Sequence, residues 1–412
     1  MHNVVEEWEG INRDYFTTKA NVIASFYLKN GTTPIVGTER FISLSILRSG
    51  DLFSGVLPQD EITFTFDNTD GRFTYDPEND FYFKTKVDLF AGFDKKGRPG
   101  HTVPSSVYWN YYFISNVETD SSGLRTTFTA KTKLAFMTAK AELQYMYGTG
   151  YEIAVQVIHQ AEADSNVPGD TIKYVFDYDA LSAVYISILD DENYTMAEVL
   201  QLVANASKCL LFVGNDGAIH IERYGKYTEN YVIGNKLCYK HSTIKYNDKI
   251  SAVDVVYSHG AVTEDAYVPG EKNGGKQIVT NPILINDNEI ENLAKYVLKT
   301  INERKKTISG VCRGDPRIDL FDLVVVPEKD KVNAVCLTKV NMSFNGAWKC
   351  EFTGVVLPDV TVDLRICDLE MLTIRQAESL RIEQLDKNTI SASTGEFLAT
   401  KNGELAYWGG DD

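Results

Sequence analysis

Residues 61–73 read "EITFTFDNTDGRF". Ile62, Phe64 and Phe66 alternate with Thr63 and Thr65, so an extended chain has one apolar face and one polar face. A helix would scatter the same residues around its circumference, which makes this period of two the signature of a strand. The run stops at Asp67-Asn68-Thr69-Asp70-Gly71, where Asx side chains and glycine supply turn geometry. A calcium loop fails here because Thr69 and Gly71 occupy its third and fifth positions.

The same alternation continues outward in "KVDLFAGFD" (86–94), "YYFISNVETD" (111–120) and "LRTTFTAKT" (124–132), with Asp120-Ser121-Ser122-Gly123 reading as a hairpin loop. Beyond residue 131 the period changes. Leu134, Met137, Ala141 and Tyr145 are expected on one face of a helix, and Thr149 with Glu152 forms the capping box of a second. A third helix begins at the Thr195 cap with Glu198 at N3 and an apolar stripe of Met196, Val199, Leu200 and Val203. "CLLFVGNDGAIHIERY" (209–224) then predicts two strands around a Gly-Asn-Asp-Gly turn.

Strands resume at "ISAVDVVYS" (250–258), and "PGEKNGGKQ" (269–277) reads as a loop. A fourth helix is expected from the Asn286 cap, with Glu289 at N3, Ile285 and Ile290 as a staple, and Ile290, Leu293, Ala294, Val297, Leu298 and Ile301 on one face. The strands "KTISGVCRG", "DLVVVPEK", "AVCLTKVNMSFNG" and "WKCEFTGVV" follow. Residues 363–388 are charged and helical in pattern. "GEFLATKNGELAYW" (395–408) reads as a hairpin turning at Asn402-Gly403.

The fold class expected is therefore mainly β with an α+β insertion: two β-barrel-like domains, a small α+β module between them, and a short C-terminal helix and hairpin. The boundaries read as 1–130 and 236–360 for the β domains, the latter including a helix at 287–304, with 131–235 as the module and 361–412 as the extension. A chain of 412 residues is long enough for several cores.

Composition narrows the function. The net charge of −16, with no long Lys/Arg block, argues against reading nucleic acid. Arg304-Lys305-Lys306 is expected to close the fourth helix, where its dipole favours positive charge. The six cysteines, at 209, 238, 312, 336, 350 and 367, contain no C-x-x-C pair and are read as reduced core thiols. The opening "MHNVVEEWEG" lacks a signal-peptide pattern and no apolar run reaches about 18 residues, so folding in a cytoplasm is expected. The six histidines show no metal-ligand spacing, and nucleophile-elbow, P-loop and dinucleotide glycine patterns are absent. No catalytic, cofactor-binding or metal site is expected. Sequence spacing alone leaves open a pair of glycosidase carboxylates among the 57 Asp and Glu. The run Tyr108–Phe113 could stack sugars or fill a core and an intersubunit seam.

The order of these pieces resembles phage tail hub proteins, also called baseplate hubs. "SLSILRSGDLF…EITFTFDNTDGRF" resembles the opening barrel of that family, "YTMAEVLQLVANASKCLLFVGNDGAIHIERY" its small α+β module, and "NPILINDNEIENLAKYVLKTINERKKTISGVCRGDP" with "LTKVNMSFNGAWKCEFTGV" its second barrel. The resemblance spans most of residues 40–357. It implies a non-enzymatic homotrimer at the virion tail tip, assembled in the host cytoplasm, that adapts a sixfold tail tube to a threefold spike. Implied partners are the tube or distal-tail ring, the tape-measure protein end and a central spike or fibre, with DNA only as passing cargo. About 50 residues follow the second barrel, too few for the hydrolase domain that longer relatives carry, so any cell-wall activity is expected on another chain. The alternative is a carbohydrate-binding receptor-recognition module or a cell-wall glycan hydrolase.

Two stretches are singled out. Leu369, Leu372, Leu380, Ile382 and Leu385 present more apolar surface than a lone helix should, and are expected to meet a partner. Gly314, Asp315 and Pro316 lie within "CRGDP", which spells an adhesion tripeptide but is read as a fold-defining turn between strands.

Overall fold

In the computed structural model the described residues are 18–27, 34–36, 41–71 except 52 and 54, 73, 74, 84–95, 105–143, 147–169, 171–188, 193–223, 230–233, 238–257, 260–265, 275–304, 306–315, 318–328, 331–357, 396–401 and 404–409. The segment 363–388, with Leu369, Leu372, Leu380, Ile382 and Leu385, lies outside them, as does Pro316.

Most of the strand patterns read from the sequence join one 13-stranded sheet among the described residues, while Cys209–Val213 with Ile219–Arg223, Ile250–Tyr257, and Glu396–Lys401 with Glu404–Gly409 belong to smaller separate sheets. The path of the large sheet runs Cys238–Tyr246, Lys306–Arg313, Trp348–Val356, Lys331–Phe344, Phe41–Ser49, Gln59–Asp67, Arg125–Lys131, Ser105–Thr119, Lys86–Lys95, Thr18–Tyr27, Pro34–Val36. Off this path, Leu323–Glu328 pairs with Lys331–Phe344 and lies parallel to Asn230–Val232. The early and late β segments meet where Lys331–Phe344 pairs antiparallel with Phe41–Ser49, in register from Phe344↔Leu44 to Lys339↔Ser49.

Alternation puts Ile62, Phe64 and Phe66 inside and fully buried. Phe64 stacks on Phe128 at 5.4 Å and Phe66 on Phe73 at 4.7 Å. Phe41 bridges the junction of the two segments, 5.3 Å from Phe66 and 6.0 Å from Phe344. Each such ring contributes about 1.5–3 kcal/mol by leaving water.

The α-helices among the described residues are α1 (Gly150–Ala163), α2 (Tyr178–Ser182), α3 (Met196–Ala206) and α4 (Asp287–Glu303). The capping boxes at Thr149/Glu152 and Thr195/Glu198 both form. These helices bury Ile153, Val157, Leu200, Val203, Leu293 and Val297 in a second core. Leu323–Glu328 divides the two: Val324 and Val326 face the β core, while Leu323 and Val325 face the helical one. Burial on both faces accounts for the unbroken Leu-Val-Val-Val run.

Three expectations need correction. Of the helix expected from Leu134 to Tyr145, the described residues 133–143 contain only a 3-10 turn at Lys133–Phe136, and Tyr145 lies outside the described residues. The chain instead gives its backbone to the start of α3: Ala197 N–H donates to Met137 O at 3.1 Å, Met196 N–H to Ala139 O at 3.0 Å, and Ala141 N–H to Tyr194 O at 2.9 Å. Leu134, Met137 and Ala141 are nevertheless buried. Helix α4 ends before the basic run, so Arg304 becomes the cap residue and pairs with Asp51 at 2.8 Å, while Lys306 opens a strand. As expected, Asn286 caps α4, accepting from Asn288 N–H, and Glu289 stands at N3, where it accepts from Tyr185 N–H at 3.2 Å. Finally, Gly275–Thr280 takes the end of the expected 269–277 loop into a strand beside Ile250–Tyr257.

Candidate functional site

In Phe41–Ser49 the inward parity that buries Leu44 and Ile46 also places Arg48 inside, 2% exposed. Asp60 stands directly opposite it on Gln59–Asp67. Arg48 Nε donates to Asp60 Oδ1 at 3.2 Å and Nη2 to the Tyr112 hydroxyl at 2.8 Å. Nη1 donates to Asn215 Oδ1 at 2.5 Å and also to Asp319 Oδ1. Tyr112 OH donates to Asp60 Oδ1 at 3.2 Å, and Asn215 N–H to Asp319 Oδ2 at 3.0 Å.

Five residues thus bind one another across three parts of the chain. Arg48, Asp60 and Tyr112 come from the early strands, Asn215 from the Gly-Asn-Asp-Gly hairpin turn of the α+β module, and Asp319 from the turn preceding Leu323–Glu328. The hairpin turn is built to reach this point. Gly217 has φ +74° and packs so closely on Tyr111 that a side-chain carbon would overlap the ring. Tyr111 OH donates to Gly217 O at 3.2 Å.

The joint holds one guanidinium and two carboxyl groups. Burial opposes the Arg48 charge, but Asp60, Tyr112 and Asp319 outweigh it and hold its pKa above the usual range. Burial pushes the Asp60 carboxyl up to about 6 despite Arg48, and Asp319 adds to the push. Asp60 Oδ2 is buried without a hydrogen-bond partner, which leaves the charged form of the carboxyl incompletely compensated. A buried ion cluster of this kind defines geometry more than it adds net stability.

Beside the joint, His220 stacks on Phe212 at 4.9 Å, and Phe212 meets Phe321 at 5.4 Å. His220 Nε2 lies 3.0 Å from Asp216 Oδ1 and Nδ1 3.4 Å from Glu222 Oε2. Burial works against its charge, but the two carboxylates raise its pKa to about 9, so it is an imidazolium at neutral pH.

The sequence-selected turn is tightly enclosed. Gly314 N–H donates to Trp348 O at 3.1 Å, and a side-chain carbon at Gly314 would lie 2.8 Å from Met342 Sδ and 3.0 Å from Lys349 N. Asp315 is 1% exposed, so the carboxylate of Arg-Gly-Asp is withdrawn from any receptor. In the aromatic run, Tyr112 and Phe113 are buried and Tyr111 packs on the module's turn. Those three rings are therefore used in packing. Among the described residues no group of three His, Cys, Asp or Glu is placed to hold a metal, and no helix is long and apolar enough to cross a membrane.

The sequence reading missed Arg48, Asp60, Asn215 and Asp319. A signal for two was present: Arg48 and Asp60 occupy core parity in strands whose other inward residues are apolar. Asn215 and Asp319 sit in turns, and their meeting depends on long-range docking that no local pattern records.

No protein-family model and no curated relative matches the chain. Solved structures match its fold. The tail protein from Neisseria meningitidis MC58 superposes with a TM-score of 0.56 at 12% identity, covering 82% of this chain and 96% of that one. The 43 kDa tail protein of prophage MuSo2 from Shewanella oneidensis gives a TM-score of 0.54 at 13% identity, covering 82% and 99%. The chain thus shares its mainly β fold with these two tail proteins.

Proposed function

We propose that this chain is a structural, non-enzymatic hub in the tail tip or baseplate of a phage or phage-like particle. The observation carrying this reading is the fold likeness to two tail proteins along nearly their whole length. A homotrimer with two quasi-equivalent β domains per subunit, 1–130 and 236–360, would present a pseudo-sixfold ring to the tube above and a threefold face to a spike or fibre below. Its net charge of −16 would let DNA pass without sticking. Residues 131–235 act as an inserted module between the β domains. The remaining partners are the distal-tail ring and the tape-measure end, and residues 361–412 provide the docking extension through Leu369, Leu372, Leu380, Ile382 and Leu385. Assembly takes place in the host cytoplasm and the mature location is the virion tail tip.

Light-scattering mass determination with negative-stain microscopy tests the reading. A hollow trimer supports it, and a stable monomer at micromolar concentration overturns it. Deleting residues 363–412 should leave the trimer intact and abolish binding to the tip partner.

A second reading, recognition of a surface carbohydrate, draws on tyrosines of the α+β module. Tyr147 and Tyr185 stack at 6.1 Å, Tyr151 and Tyr178 meet at 4.9 Å, and Tyr178 is 62% exposed. Flat rings with polar edges suit sugar faces. Wall-polysaccharide binding lost in Tyr178→Ala and Tyr185→Ala would favour it, and a trimer with no glycan affinity would discard it.

A further inference from the structure

Three cysteines far apart in sequence fall on one rung of the sheet. Cys238 stands opposite Cys312 in the pairing of Cys238–Tyr246 with Lys306–Arg313, and Cys312 stands opposite Cys350 in the pairing with Trp348–Val356. Directly opposed residues of antiparallel strands project from the same face. Cys312 and Cys350 belong to the β core, Cys238 packs against it, and all are thiols here.

The two pairings differ in kind. Gly314 N–H donates to Trp348 O, and residues two apart along a strand turn their backbone groups toward the same neighbour. Cys312 therefore directs its backbone toward Cys350, as a hydrogen-bonded pair with Cα atoms about 5.5 Å apart. Toward Cys238 its backbone groups are turned away, and the register of that pairing shifts directly after Cys238, between Cys238 and Lys240. Neighbouring strands lie about 4.7–4.9 Å apart, within the roughly 4.4–6.8 Å between Cα atoms that a disulfide spans. From Cys238 to Cys350 the distance is two strand spacings, about 10 Å, which is too far. Access separates the remaining choices: Cys312 and Cys350 are 1% and 0% exposed, whereas Cys238 is half-buried on the edge strand.

We propose that Cys238 and Cys312 are a latent cross-strand disulfide, closed by exchange with a small-molecule disulfide once the protein leaves a reducing compartment. The Cys238 thiolate attacks one sulfur of the oxidant and releases a thiolate. The Cys312 thiolate then attacks the Cys238 sulfur of the mixed disulfide and releases the second. Two protein thiols are oxidised, the oxidant disulfide is reduced to two thiols, and the two protons pass from the protein sulfurs to the released thiolates. Burial raises the Cys238 thiol to about 11, and a hydrogen bond with Cys350, together with burial, raises Cys312 well above the usual thiol range. The pair therefore stays reduced for long periods at neutral pH and closes faster in alkali. The bond fastens the edge strand of the 13-stranded sheet to its neighbour.

The test incubates the full chain with oxidised glutathione at about pH 8.5, where more thiolate is present. Thiols are then titrated after denaturation and crosslinked peptides are mapped by mass spectrometry. The expected result is a loss of two thiols from the six of the reduced chain, with a peptide joining Cys238 to Cys312. Cys238→Ser, at a half-buried edge position, should keep every remaining thiol. Six surviving thiols, a lasting glutathione adduct on Cys238, a crosslink between any other pair, or a two-thiol loss in Cys238→Ser overturns the proposal.

Discussion

The junction of the early and late β segments is held together in two places by opposite means. At one end of Phe41–Ser49, Phe41 fills the space between Phe66 and Phe344 with rings alone. At the other end, Arg48 satisfies Asp60, Tyr112, Asn215 and Asp319 with directed hydrogen bonds. Apolar contact is nondirectional and tolerates reshaping, so the Phe41 end brings the segments together without fixing a third partner. The charged end cannot close unless the module's hairpin turn and the Asp319 turn have both arrived. The difference separates adhesion between segments from their relative placement.

The largest effect expected anywhere along this junction comes from the enclosed turn. Gly314→Val drives a branched side chain into Met342 and the Lys349 backbone, and should leave the chain insoluble or without a cooperative transition in urea. A soluble variant with an unchanged midpoint would show that this corner can yield. Next, Arg48→Met strands two buried carboxyl groups and should cost about 3–5 kcal/mol in urea unfolding. A loss under about 1 kcal/mol would mean that the polar end contributes no more than the rings.

The acid dependence sharpens the contrast further. The folded-state pKa of Asp60, about 6, lies above the unfolded value near 3.8. Its contribution is therefore fully present below the unfolded pKa and lost as pH rises through 6. Asp60→Asn should remove a stability change on the order of 2 kcal/mol between about pH 4 and 6, read as a flatter difference curve against wild type. Parallel curves would show that Asp60 does not titrate in the fold. His220 carries the same sign in a higher window, because its pKa is raised to about 9. Its stabilisation is present below the ordinary histidine pKa and lost through about pH 9. His220→Gln should flatten the slope between about pH 7 and 9 by 1–2 kcal/mol, with screening at the half-exposed Asp216 limiting the size. At the bottom of the scale, Phe41→Leu should cost about 1 kcal/mol. A cost matching that of Arg48→Met would erase the distinction between the two ends.

Sequence legibility follows the range over which each feature is decided. The alternation around Phe64 and the caps at Thr149 and Thr195 are local, and they appear in the structure where the pattern puts them. The segment after Thr132 has a helical apolar spacing, yet its backbone partners lie on α3, about 55 residues away, and that competition is invisible in a short window. The charged joint is partly visible through parity, because Arg48 and Asp60 interrupt apolar faces. Its other members reach it through turns whose own sequences say only that the chain reverses there.

Leu323–Val326 has a further consequence for how the molecule fails. Val324 and Val326 serve one core while Leu323 and Val325 serve the other, so the strand is a party wall. Opening either side strips the lining from the opposite one, and local damage to the helices is felt in the sheet. Heating should then break the described body as a single unit, and a partner bound to one face would raise the melting point of the other.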